Sequence, residues 1–116
     1  MSSNYVPDRG DIAWLNFTPQ TGHESRRVGR KRPALVLSSK NYNQKVGLAV
    51  FCPVTDQKKG YPFEVEIPSN SMITGVILSD QIKNLDWHAR QARYAMKVPN
   101  SVLQECLQKI KALLQL

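Results

Sequence analysis

Apolar residues in this chain come in short runs, spaced regularly and separated by turn-forming residues. That spacing predicts a mainly β domain. The expected strands are 11–17, 34–38, 47–52, 63–67, 75–82 and 93–98, with helical turns at 39–44 and 85–91. The 34–38 run, Ala-Leu-Val-Leu-Ser, is apolar at almost every position and reads as a strand buried on both faces. By contrast, Phe63-Glu64-Val65-Glu66-Ile67 alternates as a half-exposed strand does. Only at the C-terminus does the period change. Leu103, Cys106, Leu107, Ile110 and Leu114 share one helical face, and Ser101 with Gln104 spells a capping box after Pro99. A chain of 116 residues has room for one core. The expectation is therefore a single domain over 1–116: a small β-barrel closed by one C-terminal α-helix.

Two segments interrupt the strands with polar sequence, 18–32 and 56–62. A long connection inside a small domain is usually functional or disordered. The first carries Arg26, Arg27, Arg30, Lys31 and Arg32, the densest part of a chain whose 16 Lys and Arg outnumber nine Asp and Glu, for a formal charge of +7. A surface of this kind collects polyanions, since each phosphate contact releases condensed counterions. No apolar run approaches the length of a membrane span, and Met1-Ser2-Ser3-Asn4-Tyr5 lacks the features of a secretory signal. Cys52 and Cys106 have no CxxC spacing and fall in apolar surroundings, which predicts buried free thiols and a reduced, cytoplasmic setting.

The chemistry open to such a chain is restricted. His23 and His88 are far apart with no carboxylate at ligand spacing, and no phosphate-binding loop, dinucleotide fingerprint or nucleophile elbow occurs. No metal or cofactor is therefore expected. RNA suits this restriction, because its own 2′-hydroxyl can be the nucleophile. The protein then has to assist loss of that proton, neutralise the phosphoryl oxygens and protonate the departing 5′-oxygen. An arginine fork matches two phosphate oxygens, a threonine hydroxyl adds a hydrogen bond, and a carboxylate accepts a proton. Arg32, Thr55 and Glu24 lie at loop–strand junctions that a barrel can bring together. Read singly, each has a plainer explanation: a surface cation, a strand-end hydroxyl, a counter-charge within a basic loop.

Taken in order, the residues resemble a known family. Tyr5-Val6-Pro7-Asp8-Arg9-Gly10-Asp11 with Trp14, Arg32-Pro33-Ala34-Leu35-Val36-Leu37-Ser38 and Cys52-Pro53-Val54-Thr55 resemble blocks of the MazF/PemK toxins. So do Lys59-Gly60-Tyr61-Pro62-Phe63-Glu64-Val65, and Gly75-Val76-Ile77-Leu78-Ser79-Asp80-Gln81-Ile82-Lys83 with Trp87 and Ala89-Arg90. The resemblance implies an SH3-like barrel with a C-terminal helix, working as a homodimer that cuts single-stranded RNA at short sequences without metal. It implies a cognate antitoxin, acidic and partly disordered, on the RNA site, and operator DNA binding only in complex with that antitoxin. Arg32 matches the family's phosphate-contacting, acid-acting arginine, Thr55 its hydrogen-bonding helper and Glu24 its loop glutamate. Arg26, Arg27, Arg30, Lys31, Lys58, Lys59, Asp80, Gln81 and Lys83 are the expected RNA contacts.

Two departures bear on mechanism. The loop before Pro33 is longer and more basic than the family pattern, with Lys31 where many relatives have histidine. Leu78 stands where the plasmid-borne branch has an arginine two residues before its aspartate, which favours the Arg32–Thr55 version of the site over an Asp80-centred one. The general base stays open among Glu24, His23 and Asp80. Two rival readings also stay open: a gyrase-poisoning, CcdB-like toxin of the same barrel type, and a barrel that binds RNA without cutting it.

Overall fold

The computed structural model describes residues 4–16 and 31–116. Seven strands, β1 (Asp11–Leu15), β2 (Arg32–Val36), β3 (Leu48–Thr55), β4 (Glu64–Ile67), β5 (Gly75–Leu78), β6 (Lys83–Asp86) and β7 (Arg93–Lys97), accompany helices α1 (Lys40–Val46) and α2 (Asn100–Leu114). The sheet is antiparallel, in the order β4-β5-β3-β2-β1-β7. It curls as a half-barrel around β3. That strand pairs with β2 along one edge, and on the other with β6 through Leu48–Phe51 and then with β5 through Val54 and Thr55. Cys52 and Pro53 fall where β3 changes partner, a place that tolerates a residue without an N–H.

β2 is buried on both sides, as its sequence predicts. Leu35 belongs to the larger core with Ile12, Cys52, Ile77 and the buried face of α2, whereas Ala34 and Val36 belong to a second core with Leu15 and Phe51. Trp87 packs on that second core, and its Nε1 donates to the carbonyl of Asn43 at 3.0 Å. The Asn43 side chain is fully buried and fully satisfied: Nδ2 donates to the carbonyls of Pro7 and Ser38, and Oδ1 accepts from Ser38 Oγ. A buried polar knot of this kind fixes α1 against the N-terminal segment. Cys52 and Cys106 are free and buried in the larger core.

Three sequence expectations need correction. The strand expected at 75–82 stops at Leu78, because Ser79 and Asp80 form a corner before β6 begins at Lys83: Gln81 N–H donates to Leu78 O, and Ser79 bonds Phe63 O through both its N–H and its hydroxyl. Ser and Asp favour such turns, and here they outweigh the apolar run around them. The helical turn expected at 85–91 starts later, because Leu85 and Asp86 end β6; one turn follows, closed by Arg90 N–H to Asp86 O, Gln91 N–H to His88 O and Ala92 N–H to Trp87 O, and it does not extend into a helix. The Ser101–Gln104 capping box does not form. Pro99 takes the N-cap position with no side-chain cap, which leaves Ser101 inside the first turn. The apolar stripe of α2 is buried at Val102, Leu103 and Cys106 and packed at Leu107 and Ile110, but Leu114 is exposed. No helix among the described residues is long and apolar enough to cross a membrane.

Candidate active site

Arg32 and Thr55 reach one place from opposite ends of adjacent strands. Arg32 opens β2 opposite Leu15, and Thr55 closes β3 opposite Val76. Because β2 and β3 run antiparallel, the start of one lies beside the end of the other. Both residues line an open cleft of ≈ 350 Å³ with Trp14, Pro33 and Asp56. The Thr55 hydroxyl oxygen accepts the N–H of Gln57 at 3.2 Å, a bond that leaves its own proton to be donated elsewhere.

Gly75 sets the position of Thr55. It sits at φ 119°, and a Cβ there would collide with the Thr55 carbonyl oxygen. Only glycine lets β5 start this close to the end of β3.

A second cleft, of ≈ 300 Å³, shares Thr55 as a wall and includes Lys59, Tyr61, Glu64, Asp80 and Gln81. Tyr61 Oη donates to Asp80 Oδ2 at 2.6 Å, a bond that pushes the phenol's pKa up. The other Asp80 oxygen is buried without a hydrogen-bond partner. Such an acceptor suits a ligand that brings a donor.

The structure thus joins Arg32 to Thr55, and Lys59, Asp80 and Gln81 to Thr55 from the other side. The remaining described candidates lie elsewhere. Lys31 donates to Gln91 O at 2.8 Å, and burial, then the neighbouring Arg93, lowers its pKa. Lys58 pairs with Glu66 at 2.6 Å in an exposed, solvent-screened bridge. Lys83 starts β6 opposite Phe51 and lines neither cleft. Glu24, Arg26, Arg27, Arg30 and His23 lie outside the described residues. Sequence reasoning passed over Asp56, a carboxylate in the Arg32 cleft, and Tyr61 and Glu64 in the second cleft. Asp56 follows Thr55 directly, and adjacency to a site residue was the available signal. Among the described residues no three His, Cys, Asp or Glu side chains converge as metal ligands.

A family profile described as PemK-like, MazF-like toxin of type II toxin-antitoxin system matches residues 8–114. The chain belongs to this family. It is 45% identical over 114 residues to the endoribonuclease toxin MazF of Escherichia coli K12, an alignment covering 98% of this chain and 99% of that protein. A crystal structure of MazF from Deinococcus radiodurans superposes with a TM-score of 0.86 at 49% identity, covering 97% of this chain and 100% of the other. A MazE–MazF crystal structure from the same organism matches at 0.85 and 44%, covering 96% and 97%. The curled sheet and C-terminal helix are therefore those of MazF structures, and the Arg32–Thr55 cleft belongs to a MazF-like fold.

Proposed function

We propose that this chain is the toxin of a type II toxin–antitoxin pair and acts as an endoribonuclease on single-stranded RNA. The observation that carries the reading is the convergence of Arg32 and Thr55 on one open cleft of a basic, MazF-like protein. In the proposed reaction the substrate's 2′-oxygen attacks the adjacent phosphorus while the bond from phosphorus to the 5′-oxygen breaks. The proton leaves the 2′-hydroxyl for a base and another is delivered to the 5′-oxygen, giving a 2′,3′-cyclic phosphate and a 5′-hydroxyl without consuming water. The Arg32 guanidinium neutralises the phosphoryl oxygens and stands beside the leaving oxygen as proton donor, and Thr55 Oγ1 donates a hydrogen bond to the developing charge. Glu24, His23 and Asp80 are the candidates for the base, and Asp56 joins them by its place in the cleft.

Lys59, Asp80 and Gln81 contact the nucleotides next to the cut, and Arg26, Arg27 and Arg30 add affinity through phosphates. Lys31, Lys58 and Lys83 supply weaker, long-range attraction. The protein works in the cytoplasm as a homodimer. An acidic, partly disordered antitoxin competes for the RNA surface, and operator DNA is bound only with that antitoxin. Its charge matches the +7 of this chain, and MazE–MazF structures are among its structural relatives.

Incubation with a long RNA in EDTA tests the reading. Cuts at a short repeated sequence support it. Binding without cuts leaves an RNA-binding barrel, and inhibition of gyrase with intact RNA leaves the gyrase-poison reading.

A further inference from the structure

Glu64 begins β4 and holds the loop before it by three bonds to one carboxylate. Oε2 accepts the N–H of Lys59 at 3.0 Å, and Oε1 accepts those of Gly60 at 3.0 Å and Tyr61 at 3.3 Å. Gly60 lies at φ 77°, the left-handed conformation that turns successive N–H groups towards one anion. The Glu64 N–H also donates to Tyr61 O at 3.0 Å. From α2, Lys109 Nζ reaches Pro62 O at 2.6 Å and Glu64 O at 3.2 Å.

The loop gripped in this way is exposed from Asp56 to Pro62. Its one ring contact among the described residues is Tyr61 against Phe63, centroids 5.8 Å apart, and no side chain within it is buried, the usual mark of a segment that opens easily. Yet it brings Lys59 and Tyr61 to the wall of the cleft that contains Thr55, with the Tyr61 hydroxyl on Asp80.

We propose that Glu64 is a positioning residue for RNA cleavage. Its carboxylate fixes the 59–61 backbone, so that Lys59 and the Tyr61–Asp80 pair present a preformed surface to the nucleotide beside the scissile phosphate. This rests on the RNA-cleaving reading and extends it to a residue that touches no reacting atom. Arg32 and Thr55 carry the chemistry, so removing the grip acts on substrate binding and site choice before it acts on turnover. Preorganisation of this kind shows mainly in affinity, because a loop released from the grip has to be ordered by the substrate instead.

The test compares wild type, Glu64→Ala and Glu64→Gln by three readouts: backbone amide exchange of residues 59–61, KM and kcat on a defined RNA, and the distribution of cut sites. In Glu64→Ala the three amides should exchange about tenfold faster or more. KM should rise about tenfold, kcat should stay within about threefold, and cutting should spread to related sequences. Glu64→Gln keeps one acceptor oxygen for Gly60 and Tyr61 and should fall between the other two. Unchanged exchange in Glu64→Ala overturns the grip. Fast exchange with unchanged KM and cut sites overturns its role in positioning, as does a fall in kcat alone that tracks a lowered melting temperature. A wild-type protein that leaves RNA intact refutes the RNA-cleaving reading itself, whatever the amides do.

Discussion

Gly75 and Thr55 approach each other through their backbones so closely that no side chain fits between them: a Cβ on Gly75 runs into the Thr55 carbonyl oxygen. The start of β5 therefore holds the end of β3, and with it Thr55 in the wall of the cleft. Gly75→Ala combines that clash with an unfavourable positive φ of 119°. It should lower stability by about 2 kcal/mol and the melting midpoint by roughly 5–10 °C. The folded fraction should also cut RNA more slowly than wild type. A thermal melt and an initial-rate assay below the transition check both.

Thr55→Val preserves shape and removes the hydroxyl. If the Thr55 proton meets the developing phosphoryl charge, the rate should fall about a hundredfold or more, with Thr55→Ser restoring much of it. The same hydroxyl oxygen caps the Gln57 N–H, so a melting curve must accompany the rates. A rate loss matched by the loss of folded protein assigns Thr55 to that cap instead.

Arg26, Arg27 and Arg30 fall within five residues of sequence, with no spacing that suggests a base-reading fork. Changing all three to Gln should weaken RNA binding most at low salt. The log–log salt dependence should flatten by about 0.7 for each single-strand phosphate that no longer meets an arginine. Cut-site sequencing should return the wild-type sequence. A changed sequence assigns base reading to these arginines.

Stability should fall on the alkaline side, beginning near pH 9. Burial pushes the Cys52 and Cys106 thiols from the ordinary 9.0 up to about 12. Lys97 is raised above 10.5, first by its bond to buried Asp11 at 2.8 Å. Tyr5 is raised above 10.0, first by burial and then by its bond to Asp11. All four keep their protons in the folded state after the unfolded chain has lost them, so stability declines as pH rises through this range. Urea melts at pH 8, 9.5 and 11 should show a falling midpoint. Asp11→Asn should be less stable at pH 8 and lose less between pH 9.5 and 11.

How much of this was legible beforehand varies with the physics involved. β2 was readable because apolar side chains at nearly every position need burial on both faces, and Leu35 and Val36 do face different cores. The α2 stripe was readable to Ile110, where the body it packs against ends and Leu114 meets solvent. The corner at Ser79–Asp80 was hidden by the apolar residues around it, although its turn chemistry was present in the sequence. Arg32 and Thr55 were recognisable from flanking motifs, but their meeting depends on β2–β3 register, which no local pattern specifies. The Glu64 grip was harder to foresee. Its glutamate sits in an alternating strand, where a carboxylate reads as an outward-facing residue, and its partners are backbone N–H groups that leave no trace in residue types.

The central claim is that Arg32 supplies the chemistry of RNA cleavage while lying outside the core that holds the fold. The most direct measurement compares wild type and Arg32→Ala on one RNA in EDTA, with product ends mapped chemically and folding followed by circular dichroism. Wild type should leave 2′,3′-cyclic phosphate and 5′-hydroxyl ends, and Arg32→Ala should melt close to wild type yet cut at least about a hundredfold more slowly. Near-normal cutting by a folded Arg32→Ala protein, or 5′-phosphate ends from wild type, would contradict the account.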